Sequence, residues 1–182
     1  MMSEAHADIH GFEDEGYELL FRAVGEILRD QNPNPDYNAT YWGGRMDYVS
    51  RFFQHGKWKH LGLEGLLRNP YGIVHVQHDI NNPEKPFPDG SEDVAILKTL
   101  GSIKSPYNYE EAYLRFWKKI TDSLRIGGIV VSSYEHPEEF KEHYRQITNL
   151  GGSGRDFLEF NAVTTRVSYY FPTRIYFFEK VA

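Results

Sequence analysis

The sequence predicts an α/β fold, a three-layer α/β/α sandwich in which helices cover both faces of a mostly parallel sheet. Short apolar segments alternate with amphipathic helical segments along most of the chain, and this order is typical of parallel sheets. The clearest unit spans 85–134, where a polar turn enters a buried strand, a helix follows, and Gly127-Gly128 begin a second buried strand. A strand, a helix and a strand in this order place both strands in one sheet.

The first half of the chain is predicted to form a helix and then short strands. Residues 1–11 are polar and are predicted to be flexible, and a helix is predicted over 12–30 because apolar residues recur at spacings of three and four. The apolar stripe of this helix consists of Tyr17, Leu20, Phe21, Val24, Ile27 and Leu28. Apolar runs bounded by turn residues predict strands at 38–42, 60–65 and 72–79. A further helix is predicted between the first two strands, with Met46, Val49 and Phe53 on its buried side.

The second half contains the central unit and an alternating tail. Its helix follows Asn108, a residue type that caps helices. The predicted buried stripe of this helix is Tyr109, Ala112, Tyr113, Phe116 and Ile120. After a strand over 128–134, a helix is predicted from Pro137 to Gly151-Gly152. Strict alternation over 163–171 and a last strand over 174–181 predict an antiparallel hairpin.

Composition and charge exclude several classes of function. A length of 182 residues suits one domain, 1–182, and the net charge of -6 without a Lys/Arg cluster predicts no nucleic-acid partner. The chain has no cysteine, which excludes disulfides and thiolate catalysis. No apolar run approaches the roughly 20 residues that span a bilayer, and no signal-peptide pattern is present, so we expect no membrane partner and a cytoplasmic location. The aromatic content of 15% predicts a ring-rich core and aromatic surfaces through which a homo-oligomer could form.

Three local patterns, in this order, resemble the class I S-adenosylmethionine-dependent methyltransferase fold, which is Rossmann-like. The turn from Pro86 to Val94 resembles the run before the fourth strand of that family, and 124–130 resembles the turn into its fifth strand. The final hairpin resembles its sixth and seventh strands. The resemblance covers residues 38–181 and implies strand order 3-2-1-4-5-7-6, an antiparallel strand 7, and S-adenosylmethionine as the cofactor.

The glycine-rich first motif of that family is degenerate in this chain. The family places an acid at the end of its first strand and then a loop with three alternating glycines. In this chain Gly43 falls on one expected glycine, whereas Arg45 and Asp47 take the other two positions and Tyr41 takes the place of the acid. Glycine lets a backbone approach a ligand closely and adopt positive φ. Gly43 and Gly44 are therefore either cofactor-binding residues in a shifted register or only a tight strand-to-helix turn.

Other cofactor-binding positions of the family are matched at the ends of the predicted strands. Glu64 ends the second strand and lies where an acid would accept hydrogen bonds from a ribose diol, although it could also be a solvated turn residue. Asp79 and Ile80 end the third strand, where the family places an acid near the adenine amine and an apolar neighbour against the ring. Asp79 could instead start the turn that follows it. Lys98 follows the fourth strand, on the floor of the same crevice.

No side chain stands out as a catalytic group. Lys98, Tyr107 and His136 are weak candidates for substrate contacts or for a base, and His136 also suits an ordinary position at a helix start. No metal site is expected, because His75 and His78 point to opposite faces of a strand.

Two functions remain open from the sequence. One is methyl transfer from S-adenosylmethionine to a small-molecule acceptor, which needs mainly proximity and orientation and tolerates the lack of a catalytic cluster. The other is a catalytically inactive methyltransferase-like protein that serves as a structural or partner-binding module, and the altered glycine loop favours it. A nicotinamide oxidoreductase fits less well, because no G-x-G-x-x-G follows the first strand.

Overall fold

A seven-stranded sheet forms the centre of the computed structural model, which describes residues 19–20, 22–27, 37–42, 57–63, 73–97, 109–132, 135–164 and 175–182. Its strands are β1 (Asn38–Trp42), β2 (Lys57–Gly62), β3 (Val74–Gln77), β4 (Glu92–Leu97), β5 (Leu124–Ser132), β6 (Tyr144–Gln146) and β7 (Tyr176–Lys180). Their order across the sheet is β3-β2-β1-β4-β5-β7-β6. The first five strands pair in parallel, and β7 pairs antiparallel with both β5 and β6. The predicted strand order and the antiparallel seventh strand are confirmed.

Helices cover both faces of this sheet. They are α1 (Tyr109–Ser123), α2 (Gly151–Thr164), a 3-10 helix (Glu138–His143) and helical residues 22–27. None of the helices in these described ranges is long and apolar enough to cross a membrane.

The sheet has two apolar cores, because successive residues of a strand point to opposite faces. The core on the face with α2 and residues 22–27 contains Val24, Tyr41 and Phe157, and we call this face the α2 side. The core on the face with α1 contains Trp42 and Trp117, and we call it the α1 side. Two cores with a sheet between them make the predicted three-layer sandwich.

The antiparallel partner of β7 lies in a different part of the sequence from the one predicted. Residues 163 and 164 of the alternating segment belong to α2, and 165–174 lie outside the described residues. The edge strand is instead β6, within the segment predicted to be a helix after Pro137. Tyr144 explains this: its ring is buried, and its hydroxyl is 2.8 Å from the hydroxyl of Thr121 in α1. Pairing with β7 and this contact override the local helical pattern.

Gly151 and Gly152 begin α2, whereas the sequence predicted that they end a helix. Gly151 has φ of +67°, a conformation that glycine adopts at little cost. One backbone N–H of the first turn is met by Glu26, whose carboxylate accepts hydrogen bonds from the Ser153 N–H, at 3.1 Å, and from the Ser153 hydroxyl. A carboxylate suits this position because a helix N-terminus carries partial positive charge.

A buried carboxylate joins three strands near the amino end of β4. Glu92 is 1% exposed and accepts a hydrogen bond of 2.6 Å from the Thr40 hydroxyl of β1. It also forms an ion pair with Lys59 of β2, whose side chain is 21% exposed. The Lys59 ammonium lies 4.6 Å from the centre of the Phe87 ring, a cation–π distance. This network fixes β1, β2 and β4 relative to one another.

Candidate functional site

The carboxyl ends of the five parallel strands lie along one edge of the sheet. Near this edge Trp42 pairs with Leu61, Gly62 with Gln77, and Leu97 with Ser132. The chain proceeds from β1 outward to β2 and β3 on one side, and from β4 to β5 on the other. A sheet with this order binds ligands in the crevice at the strand ends, where the direction of winding reverses. Here that point lies between β1 and β4.

Five of the predicted site residues lie outside the described residues: Gly43, Gly44, Glu64, Lys98 and Tyr107. The described chain reaches Trp42, Leu63 and Leu97, the residues directly before Gly43, Glu64 and Lys98. The roles of these five residues stay predictions.

Asp79 lies two residues beyond the end of β3, at the same edge. Its Oδ1 accepts a hydrogen bond of 2.8 Å from the Asn81 backbone N–H and one of 3.2 Å from the Asn81 side-chain amide. The Asn82 N–H donates to the Asp79 carbonyl at 2.9 Å. The interpretation that Asp79 starts a turn is therefore confirmed. No residue in the described ranges donates a hydrogen bond to the other carboxylate oxygen, so the turn role leaves one acceptor for a ligand.

Ile80 points into the protein. Its side chain is 9% exposed and belongs to the core on the α1 side. Its apolar surface therefore packs mostly against the protein core. Its backbone carbonyl accepts a hydrogen bond that the sequence did not predict.

That contact comes from Lys119 of α1, which is 3% exposed. Its ammonium donates hydrogen bonds of 2.5 Å to the Ile80 carbonyl and 2.7 Å to the Asn82 carbonyl. Burial lowers the pKa of Lys119 to about 8, with the charge of Asp79 acting against this shift and that of Arg115 adding to it. Sequence reasoning missed Lys119, although it lies three residues after Phe116, on the same helical face as the predicted stripe.

His78 lies beside this lysine. Burial, and then the positive charge of Lys119, lower the pKa of His78, so the neutral imidazole is favoured. Its Nε2 is buried and has no hydrogen-bond partner among the described residues. Its backbone N–H donates to the Gly62 carbonyl at 3.1 Å. This bond continues the pairing of β2 with the chain beyond the end of β3.

The His136 ring packs among aromatic side chains on the α1 side. Its ring centre is 4.9 Å from that of Phe178, 5.6 Å from that of Tyr144 and 6.2 Å from that of Trp117. Its Nδ1 is 3.1 Å from the Pro137 carbonyl. These contacts suit an ordinary packing role, and a role as a base stays a prediction.

His75 pairs with His60 of the neighbouring strand, which the sequence did not predict. The two residues are register partners, their Nδ1 atoms are 3.0 Å apart, and their rings are stacked. Across the described parts of the chain, no group of three or more His, Cys, Asp or Glu side chains is close enough to hold a metal ion.

A cavity of about 480 Å³ lies at the β6 end of the sheet, opposite β3, between β6, residues 22–27 and the start of α2. Its two glutamates already have partners: Glu26 binds Ser153, and Glu179 accepts a hydrogen bond of 2.5 Å from Arg145. The paired acids offer no group for chemistry, and we place the candidate site at the crevice.

The crevice retains what a nucleoside cofactor would need in the part that is described. Trp42 could have filled it, but its side chain is fully buried on the α1 side, 6.1 Å from the Phe87 ring centre and 5.7 Å from that of Phe116. Asp79 keeps an acceptor oxygen at the edge. The described residues therefore fit the adenine end of S-adenosylmethionine, and the positions predicted for its ribose and for close backbone approach, Glu64, Gly43 and Gly44, lie outside them.

Comparison with solved structures finds proteins that share the fold described above. No family model matches the sequence, and no curated protein matches it. The structure is similar to N-methyltransferase NodS from Bradyrhizobium japonicum, with a TM-score of 0.52, 12% identity and coverage of 94% of this chain and 98% of that one. A putative S-adenosylmethionine-dependent methyltransferase from Methanococcus maripaludis matches with a TM-score of 0.51, 12% identity and coverage of 97% and 91%.

A third similar structure contains bound S-adenosylmethionine. It is CalS10, an amino pentose methyltransferase from Micromonospora echinaspora, with a TM-score of 0.51, 11% identity and coverage of 81% of this chain and 64% of that one. The chain spans less than two thirds of some similar proteins and nearly the whole of others. The strand order, the antiparallel β7 and these similarities together show that the chain has the class I S-adenosylmethionine-dependent methyltransferase fold.

Proposed function

We propose that the protein binds S-adenosylmethionine at the carboxyl edge between β1 and β4 and transfers its methyl group to a small-molecule acceptor. The proposal rests on Asp79, which keeps an available carboxylate oxygen just beyond the end of β3. Asp79 lies at the same carboxyl edge as the reversal of strand order between β1 and β4, with β2 in between. The sulfonium supplies an activated methyl group, and the protein needs to align the acceptor with it.

In this proposal each residue of the crevice has one task. Asp79 accepts a hydrogen bond from the adenine amine, and Glu64 accepts hydrogen bonds from the ribose hydroxyls. Gly43 and Gly44 let the backbone approach the cofactor. Lys98 lies on the floor of the site.

Thermal unfolding with S-adenosylhomocysteine tests cofactor binding. Ligand at about 100 times its dissociation constant adds roughly 2.7 kcal/mol to the free energy of unfolding. For a chain of this length, the midpoint is expected to rise by about 5 to 10 °C. An unchanged midpoint at millimolar ligand would contradict the proposal.

Asp79→Asn tests the adenine contact without removing the turn. Asparagine keeps a carbonyl oxygen for the Asn81 N–H and replaces the other oxygen with a donor, which cannot accept a hydrogen bond from the adenine amine. We expect the midpoint shift to shrink strongly. Asp89→Asn is the matched control, because Asp89 is exposed and pairs with Lys85 on the surface. If both variants keep the wild-type shift, Asp79 does not bind the cofactor.

The alternative is an inactive module that binds a protein partner, and Arg45 and Asp47 in place of two expected glycines favour it. The same titration separates the two functions, because a module without the cofactor site shows no shift. Binding by itself does not show catalysis, so a panel of amine, hydroxyl and carboxyl acceptors is then assayed for the formation of S-adenosylhomocysteine.

A further inference from the structure

Lys119 joins α1 to the turn that follows β3. Its ammonium donates hydrogen bonds to the carbonyls of Ile80 and Asn82, which flank Asn81 in the turn that Asp79 starts. No carboxylate of the described residues accepts a hydrogen bond from this ammonium. Among the described residues, the hydrogen-bond acceptors of this buried cation are therefore two neutral carbonyls.

Burial of the Lys119 ammonium is unfavourable for stability, so packing does not explain why a lysine is at this position. An ammonium loses much hydration on burial, and neutral carbonyls replace only part of it. The neighbouring Lys118 shows the ordinary alternative: its side chain is 67% exposed and pairs with Asp122 one turn away. Lysine ammonium groups are ordinarily exposed to water, and residues that depart from such a rule are often functional.

The two hydrogen bonds fix the backbone on the carboxyl side of Asp79. The Asp79 carboxylate is held by its bonds to Asn81, and the carbonyls on either side of Asn81 are held by Lys119. Without the lysine, the turn keeps its internal bonds and the packing of Ile80 but loses its hydrogen bonds to α1. The charge of Asp79 also attracts the ammonium, which favours the same arrangement.

We propose that Lys119 is a positioning residue that fixes the turn 79–82 so that the Asp79 carboxylate faces the base of the bound cofactor. This inference rests on the proposed function. It predicts that Lys119 acts on the recognition of the base without touching the cofactor itself.

The test compares Lys119→Met, which retains the length and packing of the side chain without a donor, with Lys118→Met as the matched surface control. The probes are S-adenosylhomocysteine and S-inosylhomocysteine, which differ at the position of the adenine amine. For Lys119→Met we expect the affinity for the adenine compound to fall by roughly tenfold or more. The preference for adenine over hypoxanthine is expected to fall with it, whereas Lys118→Met changes neither.

A second measurement needs no ligand. The backbone N–H of Asn82 donates to the Asp79 carbonyl at 2.9 Å, so its exchange with solvent reports the order of the turn. Lys119→Met is expected to speed the exchange of this amide while amides in β4 and β5 keep their protection. If Lys119→Met does not fold, Lys119→Gln, which keeps a neutral donor, replaces it and is expected to show smaller changes of the same kind.

The outcomes separate this inference from the proposed function. If the wild-type protein binds neither probe, the proposed function and the role in base recognition both fall, and the exchange measurement still decides whether Lys119 holds the turn. If the wild type binds but Lys119→Met keeps its preference for adenine, the inference is overturned alone. An equal loss of affinity for both probes also overturns it, because that result indicates general destabilisation.

Discussion

Replacing Glu92 by alanine tests whether the buried ion pair is a main determinant of stability. The change removes the acceptor for Thr40, which is 0% exposed, and leaves Lys59 without its carboxylate. Breaking a buried pair on one side costs about 3 to 5 kcal/mol. Because the Lys59 side chain is 21% exposed and can reach water, we expect about 3 kcal/mol.

That loss corresponds to a fall in the unfolding midpoint of about 6 to 12 °C for a chain of this size. Urea unfolding followed by circular dichroism measures the free energy directly. The double variant Lys59→Met with Glu92→Leu should recover most of the loss, because an apolar pair of similar volume needs no partner charge.

Glu138→Ala is the control, because Glu138 pairs with Lys141 at the surface, where its side chain is 79% exposed. Its effect is expected to lie within experimental error, since exposed ion pairs contribute little. The reasoning would be refuted by a Glu92→Ala variant as stable as Glu138→Ala, or by a double variant no more stable than Glu92→Ala.

Two further predictions concern Gly128 and Lys119. A Cβ at Gly128 would lie 2.8 Å from the Arg125 carbonyl oxygen, so Gly128→Ala is expected to lower the free energy of unfolding by about 1 to 3 kcal/mol in urea unfolding. At Gly152 a Cβ meets no described atom within 4 Å, so Gly152→Ala should be neutral or slightly stabilising. Equal effects of the two changes would contradict the steric argument. Burial lowers the pKa of Lys119 from 10.5 to about 8. Between pH 8 and 10.5 the unfolded chain therefore binds more protons than the folded one. The contribution of Lys119 to the free energy of unfolding rises with pH over this range. Nuclear magnetic resonance titration of its side chain should show a midpoint near 8, and a midpoint at the ordinary 10.5 would show a solvated ammonium.

The sequence predicted the elements whose signals are local. Strand β1 lies at the predicted residues, and Ala112, Phe116 and Ile120 of the predicted stripe are buried in the structure. Apolar runs and helical spacing report burial directly. The order of the strands came from the resemblance to the family, because no local pattern fixes which strands are neighbours.

The errors lie where distant residues determine the structure. Glu26 binds the N-terminus of α2 across 127 positions of sequence, so Gly151-Gly152 begin a helix that their local pattern predicted them to end. Strand β6 forms because β7 pairs with it. No window of sequence contains either contact.

In the candidate site too, local features could be predicted from the sequence and contacts between distant residues could not. Asp79 was assigned to the adenine from the resemblance to the family, and that role stays a prediction. Its turn follows from its own side chain. Lys119 was missed because a lysine on a helix is ordinarily a surface residue. Its burial depends on the carbonyls of Ile80 and Asn82, which lie 39 and 37 positions away.

The position of β7 between β5 and β6 has a consequence for how the sheet assembles. Strand β5 pairs with β4 on its other side, but neither β5 nor β6 gains its β7 partner until 176–180 have been synthesised, after β6 and α2. Until then the apolar run Ile129–Val131 presents unpaired backbone groups that another copy of the chain can bind. Aggregation during synthesis or refolding is therefore expected to begin at β5, and a chaperone that shields strand edges should raise the yield of native protein.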